Sequence, residues 1–194
     1  LLIVFMQFAF VIFDQMTALD FVGVYDPLTR LKSMGFRPDL TWDICARTRE
    51  IVDDRGLRFT ATKVAAPLTG YDLLVVVGGQ GTRPLMRDAA FSAWLKTATD
   101  CPLKTSVCTG ALLLGAAGFL QGRRATTHPS AYQDLSEFCA TVSHDRIVDD
   151  GDIITAGGVT AGIDLGLYLV ERFAGAEIRS LIARQMDYPV NNPI

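Results

Sequence analysis

Histidine is scarce in this chain: its 194 residues include two, His128 and His144. The four cysteines, Cys45, Cys101, Cys108 and Cys139, form no Cys-x-x-Cys pair. Together these shortages argue against a zinc ribbon or a disulfide framework, and they point to a reducing, cytoplasmic setting without a bound metal. Positive charge is also limited, with 18 Lys and Arg against 21 Asp and Glu for a net charge of −3. No basic stripe exists to neutralise phosphates, which argues against nucleic acid as a partner of this chain alone. The apolar stretch Leu1–Phe13, broken only by Gln7, is too short to cross a bilayer. It lacks a basic leader and a small-residue cleavage site, so it reads as a buried strand and not as a signal peptide or membrane anchor. The chain does not begin with Met, which leaves its natural termini open. Linkers, internal repeats and low-complexity tracts are missing as well, so residues 1–194 read as a single domain. At 49% hydrophobic the chain has ample material for a core and is too apolar to be disordered.

What is present is a succession of short apolar runs and longer helical patterns. The runs Phe8–Phe13, Thr41–Ala46, Leu73–Val77, Lys104–Val107, Val142–Val148 and Ile153–Ala156 predict strands. A hairpin turning at Arg55-Gly56 is expected between Val52 and Thr62, near the edge of the sheet. Helices are predicted over Thr17–Met34, Ala89–Thr99, Thr109–Ala117, Ser130–Phe138, Val159–Phe173 and Ala176–Met186, with Pro27 expected to kink or divide the first. The Leu73–Val77 run shows no polar alternation, the mark of a strand covered on both faces in a parallel sheet. The pattern therefore gives an α/β domain with a largely parallel sheet and helices on both faces. Ligands in such sheets bind beyond the carboxyl ends of the strands, and two segments fit that description: 78–81 and 107–110.

Cys108 sits where a short strand meets an apolar helix. A nucleophile there projects from a tight, strained turn, and the following helix dipole is expected to lower its pKa. The same spacing also suits a buried cysteine packed as a small hydrophobe. Cys45, Cys101 and Cys139 have no local means of activation. The run Gly78-Gly79-Gln80-Gly81 is neither a dinucleotide fingerprint nor a P-loop, since the spacing differs and it is not expected to open directly into a helix. Beside Cys108, however, the Gly79 and Thr109 N–H groups could form an oxyanion pocket, with Gly110 leaving room at the turn. Asp20, near the start of the first helix, either stabilises the helix dipole or faces the strand ends as a proton-exchanging carboxyl. His128, twenty positions after Cys108, is either a thiol partner or a surface hydrogen-bonder. No Ser-His-Asp order with a matching turn is apparent.

The stretch from Thr105 to His128, TSVCTGALLLGAAGFLQGRRATTH, resembles the nucleophile-elbow region of the ThiJ/PfpI family, within the class I glutamine-amidotransferase-like superfamily. Leu19-Asp20, Val77–Gly81 and Gly157–Asp164 extend the resemblance over nearly the whole chain. It implies a flavodoxin-like three-layer sandwich with Cys108 on the elbow, an acid partner at Asp20, and a homodimer. Many members carry Glu in the first helix and His after the cysteine. Asp20 and Thr109 instead match the members that hydrate isocyanides. That likeness implies a Cys108 thioimidate, a water activated by Asp20, and Thr109 positioning Asp20 or the sulfur. Gly78, Gly79, Gly110 and His128 would surround a small electrophilic substrate, with no cofactor. One departure is Gly23-Val24 where a Gly-Pro step is common, which puts the helix path and the depth of Asp20 in question.

Four alternatives stand beside this reading, the weakest a protease, since Thr109 stands where such members carry His after the cysteine. AraC-type regulators carry a similar sensing domain before a helix-turn-helix, but the residues after Met186 are too few and too weakly basic to form one. Glyoxalase-like or stress-protective relatives generally carry Glu in the first helix. A redox sensor would oxidise Cys108 to sulfinate.

Overall fold

The computed structural model describes residues 5–189. In chain order the elements are β1 (Gln7–Val11), α1 (Ala18–Ser33), β2 (Thr41–Ala46), β3 (Glu50–Val52), β4 (Arg58–Thr60), β5 (Lys63–Val64) and β6 (Leu73–Val76). Then come α2 (Thr82–Leu85), α3 (Ala89–Lys96), β7 (Leu103–Val107), α4 (Gly110–Ala116), β8 (Arg124–Ala125), α5 (Tyr132–Leu135) and β9 (Thr141–Val142). The chain closes with β10 (Ile147–Asp149), β11 (Ile153–Ala156), α6 (Ala161–Ala174) and α7 (Ala176–Gln185). Seven strands form the main sheet in the order β10-β11-β7-β6-β1-β2-β5. All pairings in it are parallel except that of β10 on the edge. Every residue of β6, β7 and β11 is buried between the two helical layers, the polar Lys104, Thr105, Ser106 and Thr155 included. This is the α/β sandwich with a largely parallel sheet that the sequence pattern predicts.

The order of the strands reverses at β1, whose neighbours are β2 on one side and β6 on the other. The loops leaving β1 and β6 therefore diverge and open a crevice at the carboxyl edge. The chain after β1 leads to α1 and Asp20, the chain after β6 carries Gly78–Gly81, and the adjacent β7 leads to Cys108.

Several local expectations need correction. Helix α1 runs undivided through Pro27. The proline ring packs on Gly166 of α6, where a Cβ would lie 2.5 Å from Pro27 Cγ, so tertiary packing accommodates the residue that should break the helix. The glycine loop does open directly into a helix, the single turn α2. The hairpin exists, but β3 and β4 form their own two-stranded sheet, and the main sheet ends at β5. Its turn is built by Asp53 Oδ1, which accepts the Arg55 and Leu57 N–H groups at 2.9 and 2.7 Å. The Ser130–Phe138 helix shrinks to a 3₁₀ turn and α5. Val142–Val148 divides between β9 and β10, and His144 lies between them, stacked on Tyr132 with ring centroids 4.4 Å apart. The first strand spans Gln7–Val11, not Phe8–Phe13, and Leu1–Val4 lie outside the described residues.

The α1–α6 contact makes a test of this packing. Alanine outranks glycine in a helix interior by about 1 kcal/mol, so at an open site Gly166→Ala would stabilise. Here the added Cβ meets both Pro27 Cγ at 2.5 Å and the Val24 carbonyl at 3.1 Å, neither of which is a flexible end. We expect Gly166→Ala to lose about 1–3 kcal/mol by urea unfolding. A gain would mean the helices part without cost.

Candidate active site

Cys108 follows the last residue of β7 and has φ +56°, a strained left-handed conformation for a residue with a side chain. Its N–H is held by two carbonyls of the neighbouring strand end, Ala156 at 3.0 Å and Gly157 at 2.9 Å. Its carbonyl accepts the Thr127 hydroxyl at 2.8 Å. Next to it, a Cβ on Gly110 would lie 2.3 Å from the Val76 carbonyl. Gly110 thus lets α4 start close against β6, and its contribution is packing beneath the site. The backbone turn is fixed on every side, which is how it persists against its strain.

Asp20 is fully buried in the first turn of α1. The missing Gly-Pro step has therefore not lifted it from the site. Its Oδ2 accepts the Gly78 N–H at 3.1 Å, while Oδ1 makes no hydrogen bond of good geometry. A Cβ at Gly78 would stand 2.8 Å from Asp20 Oδ2, 2.8 Å from Cys108 Cβ and 2.6 Å from the Thr109 nitrogen. Only glycine at 78 allows these groups to meet.

Burial is the main cause that raises the Asp20 carboxyl to about 6, with the Cys108 thiol and the Gly78 N–H opposing it and the Asp54 charge adding to it. Burial likewise raises the Cys108 thiol to about 11, the charge of Asp20 reinforces it, and the Val159 and Thr109 N–H groups oppose it. This corrects the expectation of a lowered thiol pKa. Two N–H donors and the seven-residue α4 do not outweigh desolvation beside a carboxylate. The two groups titrate as a pair, and around neutral pH the pair holds one proton.

Thr109 behaves differently from expectation. Its hydroxyl accepts the Gly79 N–H at 3.0 Å and lies 3.0 Å from the Thr82 hydroxyl, so it engages neither Asp20 nor the sulfur. The Gly79 N–H is consequently committed to Thr109 and is not free for an oxyanion. The Thr109 N–H serves the Cys108 sulfur, jointly with the N–H of Val159. His128 reaches the site but points its Nδ1 at the Ser130 hydroxyl, 2.8 Å away. Its Cδ2 would stand 2.5 Å from a Cβ at Gly158, which places the ring over that glycine.

The cavity above Cys108 has a volume of about 210 Å³ and is bordered by Thr109, His128, Gly79, Val159, Arg55 and Arg83, among others. Sequence reasoning missed Val159, Thr82, Arg55 and Arg83. A valine at φ +29° carries no sequence signal, and Thr82 becomes visible only when α2 is seen to start at the glycine loop. A larger cavity of about 370 Å³, lined by Phe13, Ile51, Leu85 and Phe91, shares no lining residue with the cysteine cavity. Cys45 and Cys101 are buried, Cys139 is half-buried, and all four cysteines are free. Among the described residues no group of three or more His, Cys, Asp or Glu could hold a metal ion, and no helix is long and apolar enough to cross a membrane.

The buried carboxyl has a thermodynamic signature. Its folded pKa of about 6 exceeds the ordinary 3.8, so its favourable contribution is complete below 3.8 and is lost as pH rises through 6. A shift of this size corresponds to about 3 kcal/mol. Between pH 4 and pH 8 the wild type should lose about 2–3 kcal/mol more stability than Asp20→Asn in parallel urea titrations. Parallel losses in the two proteins would refute the burial cost.

The geometry has counterparts in known proteins. A DJ-1/PfpI family model matches residues 6–172. An isonitrile hydratase from Pseudomonas putida is 36% identical over 94% of this chain and 78% of its own length. The HTH-type transcriptional regulator CdhR from Pseudomonas aeruginosa is 30% identical over 92% of this chain, which spans 54% of that regulator. Among solved structures, a ThiJ/PfpI family protein from Pseudomonas syringae is 30% identical with a TM-score of 0.87, covering 98% of this chain and 79% of that one. A cysteine on a strained turn after a buried parallel strand, faced by an acid from the first helix, thus accompanies a family match along most of the sequence: the chain belongs to the DJ-1/PfpI (ThiJ/PfpI) family.

Proposed function

We propose that the protein hydrates an isocyanide, R–N≡C, to an N-substituted formamide, with Cys108 as nucleophile and Asp20 as the acid and base. The observation that carries this reading is the buried Asp20 carboxyl beside the Cys108 thiol, with a pKa near 6. Similarity to the Pseudomonas putida isonitrile hydratase supports the choice of reaction.

The terminal carbon of an isocyanide accepts both a nucleophile and a proton. The Cys108 thiol passes its proton to the Asp20 carboxylate as sulfur bonds to that carbon, and Asp20 delivers the proton to the same carbon. The product is the thioimidate R–N=CH–S–Cys108. Asp20, ionised again, deprotonates a water as its oxygen attacks the carbon. The carbon–sulfur bond then breaks with proton return to sulfur and nitrogen, releasing R–NH–CHO and the free thiol. In total one water is added. The Val159 and Thr109 N–H groups stabilise sulfur as it becomes thiolate. Thr109, with Thr82, holds the Gly79 loop against the elbow, and His128 and Gly78 border the reacting atoms. The step uses only side chains and water, so the proposal includes no cofactor.

A second reading has a specific support. The regulator similarity spans 92% of this chain, so the same fold could serve as a ligand-sensing domain of a longer protein. Formamide production separates the two. Wild-type protein given an aromatic isocyanide should release the N-formamide, and Cys108→Ala and Asp20→Asn should each lose about 10² or more in kcat. Absence of formamide from intact, reduced protein would favour the sensing domain.

The proton count sets the pH profile. Below about 6 Asp20 is protonated and cannot take the thiol proton, so kcat/KM should fall about tenfold per pH unit there and stay level from about 7 to 10. A rate that rises steadily towards the thiol pKa would mean that free thiolate, without Asp20, is the reactant.

The proposal takes the chain as one domain of a cytoplasmic homodimer. Leu19 and Val22 of α1 are 42% and 44% exposed, and Leu57 at the hairpin turn is 58% exposed. The hairpin packs against α1 through Phe59 and Phe21, whose rings lie 5.7 Å apart. Leu19→Asp with Val22→Asp should convert a dimeric mass in sedimentation to a monomeric one. A wild type that is already monomeric at micromolar concentration would remove the dimer from the proposal.

A further inference from the structure

The charge around the cysteine cavity points to the kind of molecule it takes. Two guanidinium groups, Arg55 and Arg83, border it, against a single carboxylate of its wall, Asp54. That carboxylate is already engaged on both oxygens. Oδ1 lies 3.0 Å from Arg55 Nη1, and Oδ2 accepts the Thr17 hydroxyl at 3.2 Å. Arg83 Nη1 is buried and lies 3.1 Å from Asp134 Oδ2, yet the angle is not that of a hydrogen bond and the nitrogen has no other partner. The wall thus carries two guanidinium groups, each beside one carboxylate, with one Arg83 nitrogen left without a hydrogen-bond acceptor.

A hydrocarbon substituent placed here would cover guanidinium donors without satisfying them, a loss of about 1–3 kcal/mol per buried donor. An anionic group would receive charge-assisted hydrogen bonds from the exposed part of these guanidiniums, whose side chains are 70% (Arg55) and 37% (Arg83) accessible. A larger cavity, lined by Phe13, Ile51, Leu85 and Phe91 among others, lies elsewhere and shares no residue with this one. With about 210 Å³, the cysteine cavity is also smaller than the usual site for a drug-sized ligand.

We infer that the cysteine cavity selects small electrophiles that carry a carboxylate, which Arg83 grips with help from Arg55. On the hydratase reading, on which this substrate class rests, the substrate is an isocyano carboxylate and the product an N-formyl amino acid or a similar formamido acid. The carboxylate end sits against the arginines while the terminal carbon faces Cys108.

Two arms test the inference and keep it apart from the hydratase reading. In the first, Cys108 is alkylated by iodoacetate and by iodoacetamide, nearly isosteric reagents that release iodide and differ in charge. Peptide mass mapping restricts the rates to Cys108. Arg83→Met should lower the iodoacetate-to-iodoacetamide rate ratio about tenfold, Arg55→Met less, and Arg83→Lys should keep most of it. A ratio unchanged within about twofold in both Met variants overturns the inference. The second arm compares isocyanoacetate with its methyl ester, followed as formamide. A kcat/KM about tenfold or more higher for the anion supports the inference, and equal or reversed values overturn it. If neither isocyanide turns over while Arg83→Met still lowers the alkylation ratio, anion selection stands and the hydratase reading falls.

Discussion

The site depends on a contact that exists because a side chain is missing. Gly78, just past the end of β6, leaves room for the Asp20 carboxyl from the first turn of α1 and the Cys108 side chain from the turn after β7. Three adjacent strands deliver these segments to one edge of the sheet, at the point where strand order reverses. Once they converge there, the rest is constrained. The elbow must turn through φ +56°, its N–H must find the Ala156 and Gly157 carbonyls, and Gly110 must let α4 begin against the Val76 carbonyl. The strain at Cys108 is sustained by this network of backbone contacts and not by any property of cysteine.

Electrostatics at the pair follow from burial first and from local donors second. Desolvation raises both groups; the Asp20 charge raises the thiol further, whereas the hydrogen bond from the Cys108 thiol opposes the rise at Asp20. The outcome is a shared proton near neutrality, a better arrangement for moving a proton twice in one turnover than a permanently ionised thiolate would be. Thr109 and Thr82 contribute at one remove, by holding the Gly79 loop in place. The chemistry and the selection of the substrate are also spatially distinct. Cys108 borders the cavity with Asp20 buried behind it, whereas Arg55 and Arg83 come from the hairpin turn and α2, two of the least regular parts of the chain.

Much of this architecture is legible in the amino-acid sequence. Leu73–Val77 announces a buried parallel strand because it is apolar without alternation, and Cys108 between a strand and a glycine announces an elbow, whereas the burial of Lys104, Thr105 and Ser106 in β7 carries no such signal. Local chemistry misleads where tertiary contacts win. Pro27 continues its helix because Gly166 receives its ring. His144 leaves the expected strand to stack on Tyr132. Thr109 turns to Gly79 and not to Asp20, because its hydroxyl meets the glycine loop and Thr82 at close range.

Hydrophobic periodicity and glycine placement act over short stretches of chain. The fold class, the place of the cysteine and the residue types at the acid and elbow positions can therefore be read from the order of the residues. How deeply Asp20 is buried, which N–H groups serve the sulfur, and that two arginines border the cavity are settled by the folded molecule. Those properties arise between segments such as Asp20 and Gly78, 58 positions apart, where desolvation and hydrogen-bond geometry depend on distances in space that no run of neighbouring residues encodes.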